Sequence, residues 1–146
     1  MARILIVNGP NLNMLGKREP EVYGNKTLSE INQRLEQLGR DLGLDLVFFQ
    51  SNGEGEIIDF IQEEGPKADG IIINPGAFTH YSYAIRDAIL AVGTETIEVH
   101  MTNVFKREEF RHHSVIAPVC RGFVGGFGSY GYAMALSYLS DRGSKK

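Results

Sequence analysis

Three short segments hold most of the residues that could do chemistry: NGPNLN at 8–13, NPGAFTH at 74–80 and EVHMTN at 98–103. Each begins at the polar end of an apolar run. Asn11, Asn74, His80 and His100 offer amides and imidazoles, groups that bind hydroxyls and move protons. Glu98 stands two residues before His100, so on a strand both side chains share one face. A carboxylate beside an imidazole fixes its tautomer and raises its basicity. A lone histidine after a strand is more often structural than catalytic; the nearby Glu98 tilts the reading toward acid–base work. Five cations, Lys17, Arg18, Lys106, Arg107 and Arg111, sit in two short segments. The bland alternative is a solvated charged surface. In a chain of net charge −3, their placement points instead to a small anionic substrate.

Other motifs carry less. GFGSYG at 126–131 matches G-x-G-x-x-G, but no later strand can supply the ribose-binding acid of a dinucleotide site. It reads as a tight turn with close packing. His112 and His113 are adjacent and diverge on a helix, and no zinc-ligand spacing is present. Cys120 opens an apolar strand with no activating base beside it, which argues against a thiol nucleophile. The lysines lie in polar or terminal segments, leaving no candidate for a Schiff base. The residues therefore call for no metal and no cofactor.

The elements that must position these groups follow from periodicity. RILIV at 3–7 reads as a buried strand. TLSE at 27–30 is a capping box, and Leu28, Ile31, Leu35, Leu38 and Leu42 continue it as the stripe of an amphipathic helix ended by Gly43. Strands are expected at 44–50, 70–74, 96–100 and 120–126, and helices at 55–65, 83–92 and 129–141, with a short helical piece at 106–113. Five strand–helix repeats with strongly apolar strands imply an α/β fold: a parallel sheet covered on both faces. Five strands suit the flavodoxin-like, doubly wound order 2-1-3-4-5. In such sheets ligands bind beyond the strands' carboxyl ends, where strand order reverses. Asn11, Asn74, His80 and His100 should therefore converge.

At 146 residues the chain fits a single catalytic domain over 1–142, with GSKK at 143–146 as a disordered tail. A hydrophobic share of 42% and a charged share of 23% are ordinary for a soluble protein. One cysteine leaves no disulfide framework and fits a reducing, cytoplasmic setting. RILIV is too short for a signal peptide or membrane span, and the acidic balance argues against nucleic-acid partners.

One feature resists this plain account. Between the first strand and Thr27 runs NGPNLNMLGKREPEVYG, 8–24, with no helix pattern. Connections this long are usually functional or disordered. Pro10, the asparagines and the Leu12-Met14-Leu15 cluster are wrong for a flexible linker. The loop is shaped for something.

NGPNLNMLGKREPEVYG, NPGAFTH, IRDA, EVHMTN and REEFRHHS, in this order, resemble the type II 3-dehydroquinate dehydratases, from Ile4 to about Leu139. The resemblance implies a lyase of the shikimate pathway that converts 3-dehydroquinate to 3-dehydroshikimate and water. It implies anti elimination through an enolate without cofactor or imine, and a homododecamer built as four trimers. On this chain Tyr23 matches the base for the C2 proton, and Arg18 the cation that favours its ionised form. Asn11 matches the residue holding a water against the enolate oxygen. His100 matches the acid for the departing C1 hydroxyl, oriented by Glu98. Asn74, His80 and Arg111 match contacts to ring hydroxyls, and the backbone amides of Met101 and Thr102 match those holding the carboxylate. Asp87 matches a residue that reaches a neighbouring subunit's site.

The residues agree with this. A carbon acid beside a ketone needs a close, desolvated base. A tyrosine, ordinarily with a pKa of about 10, needs a nearby cation to serve. Gly16 to Gly24 carries both between two hinge glycines and reads as a lid. Position 102 departs from the family in having Thr where Ser is usual, which keeps a hydroxyl and should matter little. A flavin carrier or a phosphoryl receiver of the same fold is the competing class. A receiver needs an acidic cluster at the strand ends, where Asn and His stand here, and a flavin carrier would be yellow. Another cofactor-free dehydratase or isomerase acting on a polyhydroxylated carboxylate is the enzymatic alternative.

Overall fold

The computed structural model describes residues 1–144. Strands β1 (Ala2–Asn8), β2 (Leu44–Gln50), β3 (Gly70–Asn74), β4 (Thr96–His100) and β5 (Gly122–Gly125) form one parallel sheet in the order β2-β1-β3-β4-β5. This is the flavodoxin-like arrangement. Among the described residues five α-helices accompany it: α1 (Pro20–Tyr23), α2 (Leu28–Leu42), α3 (Glu54–Glu64), α4 (Tyr83–Val92) and α5 (Tyr130–Ser144).

Alternation along β1 divides the core in two. Ile4 and Ile6 join Ile72, Ile97 and Val99 against Leu35 of α2 and Tyr132 and Leu136 of α5. Leu5 and Val7 join Ile71 and Ile73 against Ile57 and Ile61 of α3 and Ile85 and Ile89 of α4. Each such fully buried side chain contributes about 1.5–3 kcal/mol relative to exposure. Because both faces of β3 and β4 are covered, every residue of those strands is buried, Glu98 and His100 included. The sheet thus delivers its polar strand ends from a rigid frame.

The helix signals act as read. The Glu30 N–H donates to Thr27 Oγ1 at 3.1 Å and the Thr27 N–H to Glu30 Oε1 at 3.2 Å, completing the capping box. Several boundaries differ from expectation. The long first loop holds one helical turn, α1, begun by Pro20, which suits the first helical position. The polar segment after β4 forms two 3-10 turns, Val104–Lys106 and Glu109–His112, in place of one helical piece. The last strand begins at Gly122, so Cys120 precedes it. Helix α5 runs through Ser144, into the segment expected as a tail; Lys145 and Lys146 lie outside the described residues. GFGSYG is the turn from β5 into α5, where the Gly128 N–H donates to the Met101 carbonyl at 2.9 Å. Among the described residues no helix is long and apolar enough to cross a membrane.

Candidate active site

Beyond the carboxyl ends of β1, β3 and β4 opens a cleft of about 200 Å³. Asn11, Arg18, Tyr23, Asn74, His80, His100, Met101, Thr102 and Arg111 all line it. β1 and β3 are paired with Asn8 opposite Asn74, so the two loops that leave them start side by side. The third polar segment leaves β4, next in the sheet.

Glu98 is fully buried and touches the cleft only through His100. His100 Nε2 lies 2.5 Å from Glu98 Oε2. Thr79 Oγ1 also donates to Oε2, and Ser114 Oγ donates to Oε1 at 2.8 Å. The Ser114 hydroxyl accepts the N–H groups of Ile116 and Ala117 at 3.1 and 2.8 Å, which commits its own proton to Glu98. A carboxylate only accepts, so His100 presents Nε2–H to it and keeps Nδ1 for proton exchange. The ring of Phe123 stacks on the imidazole at 5.4 Å between centroids, fixing its plane.

His80 is held differently. Its Nδ1 donates to the His113 carbonyl at 2.8 Å, and Phe110 packs edge-on at 5.7 Å. Burial pushes its pKa below the ordinary 6.5, with His100 and Arg111 adding to the effect and the His113 carbonyl opposing it. The shift disfavours the charged imidazolium at His80.

On the loop, the Arg18 guanidinium carbon lies 4.4 Å from the centroid of the Tyr23 ring. A second guanidinium, that of Arg107, lies 5.3 Å from the same centroid. Arg107 also donates from Nη1 to Thr102 Oγ1 at 3.3 Å, so the hydroxyl retained at position 102 anchors a cation. In the sequence Arg107 is one cation among several near the cleft, without a role; its place over Tyr23 emerges only in three dimensions. Gly16 and Gly24, with φ of 91° and 84°, bracket the segment in backbone conformations that favour glycine. Glu19 and Asn11 are the non-glycine residues with positive φ among those described. Asn11 tolerates that region, and its side-chain amide makes no hydrogen bond to any described residue, leaving it for a ligand or water.

Arg111 donates from Nε to Glu108 Oε1 at 3.1 Å and lies over Phe110 at 4.7 Å. Asn74, almost wholly buried, donates from Nδ2 to the Tyr132 hydroxyl at 2.9 Å. Asp87 is the exception: it is exposed on α4 and does not line its own chain's cleft. A larger cavity, about 490 Å³, adjoins the cleft through His80, His100, Val104 and Arg111, and carries Phe105, His112 and Phe123 outward. Nothing in the sequence singles out Thr79 and Ser114, which hold Glu98; Ser114 closes REEFRHHS but looks like any polar loop residue there. Burial pushes the Cys120 thiol up to about 12, with Glu98 adding to it, so it is a poor nucleophile. Among the described residues no three His, Cys, Asp or Glu side chains group to hold a metal ion.

Comparison with known proteins bears on this arrangement. The family model for dehydroquinase class II matches residues 2–140. The chain is 54% identical over 143 residues to 3-dehydroquinate dehydratase of Bacillus pumilus, covering 98% of this chain and 97% of that one. It is 55% identical over 145 residues to the enzyme of the same name from Bacillus licheniformis, covering 99% and 100%. Among solved structures, the type II dehydroquinase from Propionibacterium acnes superimposes with a TM-score of 0.94 at 42% identity, covering 97% of each chain. That from Butyrivibrio crossotus gives 0.92 at 50% identity, covering 94% of this chain and 97% of that one. With a polar cleft at the switch point of the same fold, this chain belongs to the class II dehydroquinases, a family of hydro-lyases.

Proposed function

We propose that this chain dehydrates 3-dehydroquinate to 3-dehydroshikimate by anti elimination through an enolate, as a step of the shikimate pathway. The observation that carries the reading is a cleft lined by two distinct proton-transfer groups: a tyrosine under two guanidinium groups, and a histidine backed by a buried carboxylate. Tyr23 as tyrosinate takes the C2 proton, and the C2–H electron pair becomes the enolate. A positive field over the ring stabilises that ionised form, which is the use we assign to Arg18 and Arg107. Asn11 holds a water against the enolate oxygen. As the enolate collapses, the C1–O bond breaks and His100 gives its proton to the departing hydroxyl, which leaves as water. Glu98 stabilises the imidazolium before that transfer and orients it throughout.

The cationic rim receives the substrate carboxylate together with the Met101 and Thr102 amides, while Asn74, His80 and Arg111 take ring hydroxyls. Lid closure over Gly16–Gly24 excludes water and brings base and cation together. Asp87 is exposed and does not line its own chain's cleft, so we assign it to the site of another copy within a homododecamer, a tetramer of trimers. The setting is cytoplasmic. The test is to follow the conjugated product spectrophotometrically after adding 3-dehydroquinate to the purified protein. No product at any enzyme concentration would refute the reading.

A further inference from the structure

Helix α5 carries Tyr132, whose hydroxyl bonds the side chains of Asn8 and Asn74 at the ends of β1 and β3. Tyr132 is fully buried, as are its partners Asn8 and Asn74 to within a few per cent. The chain of contacts has a fixed direction. The Gly76 backbone N–H can only donate, and it lies 3.2 Å from Asn74 Oδ1. That identifies the amide oxygen, so Asn74 presents Nδ2–H to the Tyr132 hydroxyl at 2.9 Å. The hydroxyl, having accepted there, gives its own proton to Asn8 Oδ1 at 2.6 Å. Burial favours the neutral phenol, which the relay needs, since a tyrosinate would have no proton to give. Each residue thus dictates the orientation of the next, from a backbone amide on the β3 loop to the end of β1.

One polar hydrogen is left over. The second N–H of Asn74 Nδ2 has no acceptor among the described residues, and Asn74 lines the cleft. Without Tyr132 the amide would lose the partner that holds Nδ2 in place, and only the single 3.2 Å contact to Gly76 would orient it.

We infer that Tyr132 is a positioning residue: through the relay Gly76–Asn74–Tyr132–Asn8 it locks the Asn74 amide so that a single N–H is offered to an acceptor oxygen of the bound ligand. The inference rests on the proposed dehydration only for the identity of that ligand. Because the locked N–H meets the same ligand oxygen before and during reaction, its loss weakens uniform binding, which raises KM more than it lowers kcat.

The test is Tyr132→Phe, which keeps the ring and its packing, assayed with 3-dehydroquinate. Losing one oriented hydrogen bond should raise KM about three- to tenfold, with a smaller fall in kcat. In an Asn74→Ala background, Tyr132→Phe should raise KM no further. Should Tyr132→Phe not fold, Asn8→Ala retains the phenol but removes its acceptor, and the same KM-weighted loss is expected. An unchanged KM in a folded variant, or a full additional KM effect in the Asn74→Ala background, overturns the inference. A second readout needs no turnover and so separates this inference from the proposed function. The Asn74 side-chain amide, assigned in ¹⁵N spectra by its loss in Asn74→Asp, should be protected from hydrogen exchange in the wild type and lose that protection in Tyr132→Phe. Protection that survives the substitution would refute the relay.

Discussion

Replacing Glu98 by glutamine tests the chemistry of the buried dyad with almost no change in shape. Glutamine has one accepting oxygen and one NH₂ where the carboxylate accepts at both positions. At the Oε1 position its NH₂ would face Ser114 Oγ, whose lone pairs already take two backbone N–H groups. The NH₂ therefore settles at the Oε2 position, facing Thr79 and His100. His100 must then accept at Nε2 and carry its proton on Nδ1, the opposite tautomer. An imidazolium would also lose its counter-charge: unit charges about 4 Å apart at an effective dielectric constant of about 20 attract by about 4 kcal/mol. At about 1.4 kcal/mol per tenfold, that is up to about three decades in rate. The tautomer that remains can still donate from Nδ1, so part of the loss is offset. Glu98→Gln should lower kcat by about 10²- to 10³-fold, within the range of general acid–base groups. KM should move only a few-fold, because Glu98 touches no ligand. The assay is product absorbance under saturating 3-dehydroquinate, beside a thermal melt to show that the fold persists. A folded Glu98→Gln with kcat within threefold of wild type would refute the role given to the dyad.

Tyr23→Phe should abolish turnover while leaving substrate binding, measured by equilibrium titration, largely intact. Arg18→Ala and Arg107→Ala should each lower kcat, since each removes a guanidinium from over the Tyr23 ring; wild-type kcat in both would sink the role given to the two cations. His80, whose folded pKa lies below 6.5, should titrate below that value by NMR. The unfolded chain then binds the proton first as pH falls, so this group's contribution to stability is full above about 6.5. It is lost as pH drops through the folded value; a His80 resonance titrating above 6.5 would contradict this. The half-buried Cys120 thiol, pushed up to about 12, should react with a disulfide reagent at neutral pH far more slowly in the native than in the denatured protein, and equally prompt labelling of both would contradict the raised pKa.

What could be read from the chain depended on whether the signal was local. Strands β3 and β4 announce themselves as continuous apolar runs, and the Thr27–Glu30 box marks the start of α2 within four residues. The convergence of Asn11, Asn74, His80 and His100 followed from topology alone, since a doubly wound sheet brings those strand ends together. The 3-10 turns after β4 escaped because their order comes from contacts with each other and with the Gly76–His80 turn, and their own composition is merely polar. Arg107 and Tyr132 escaped for a related reason. One was a cation among cations, and the other an aromatic in the apolar stripe of a helix. Only the distances to Tyr23 and Asn74 give them meaning.

The single turn α1 has a consequence for how the site is assembled. Four residues make a helix too short to stand by itself, since nucleation costs more than one turn of hydrogen bonds returns. What keeps it in shape is largely Tyr23, whose ring packs on the core cluster and lies beneath two guanidinium groups. In the proposed cycle the same ring is both the base and the clasp of the segment that carries it. Whatever displaces the tyrosine also unfastens the loop, so chemistry and access to the cleft open and close on one side chain.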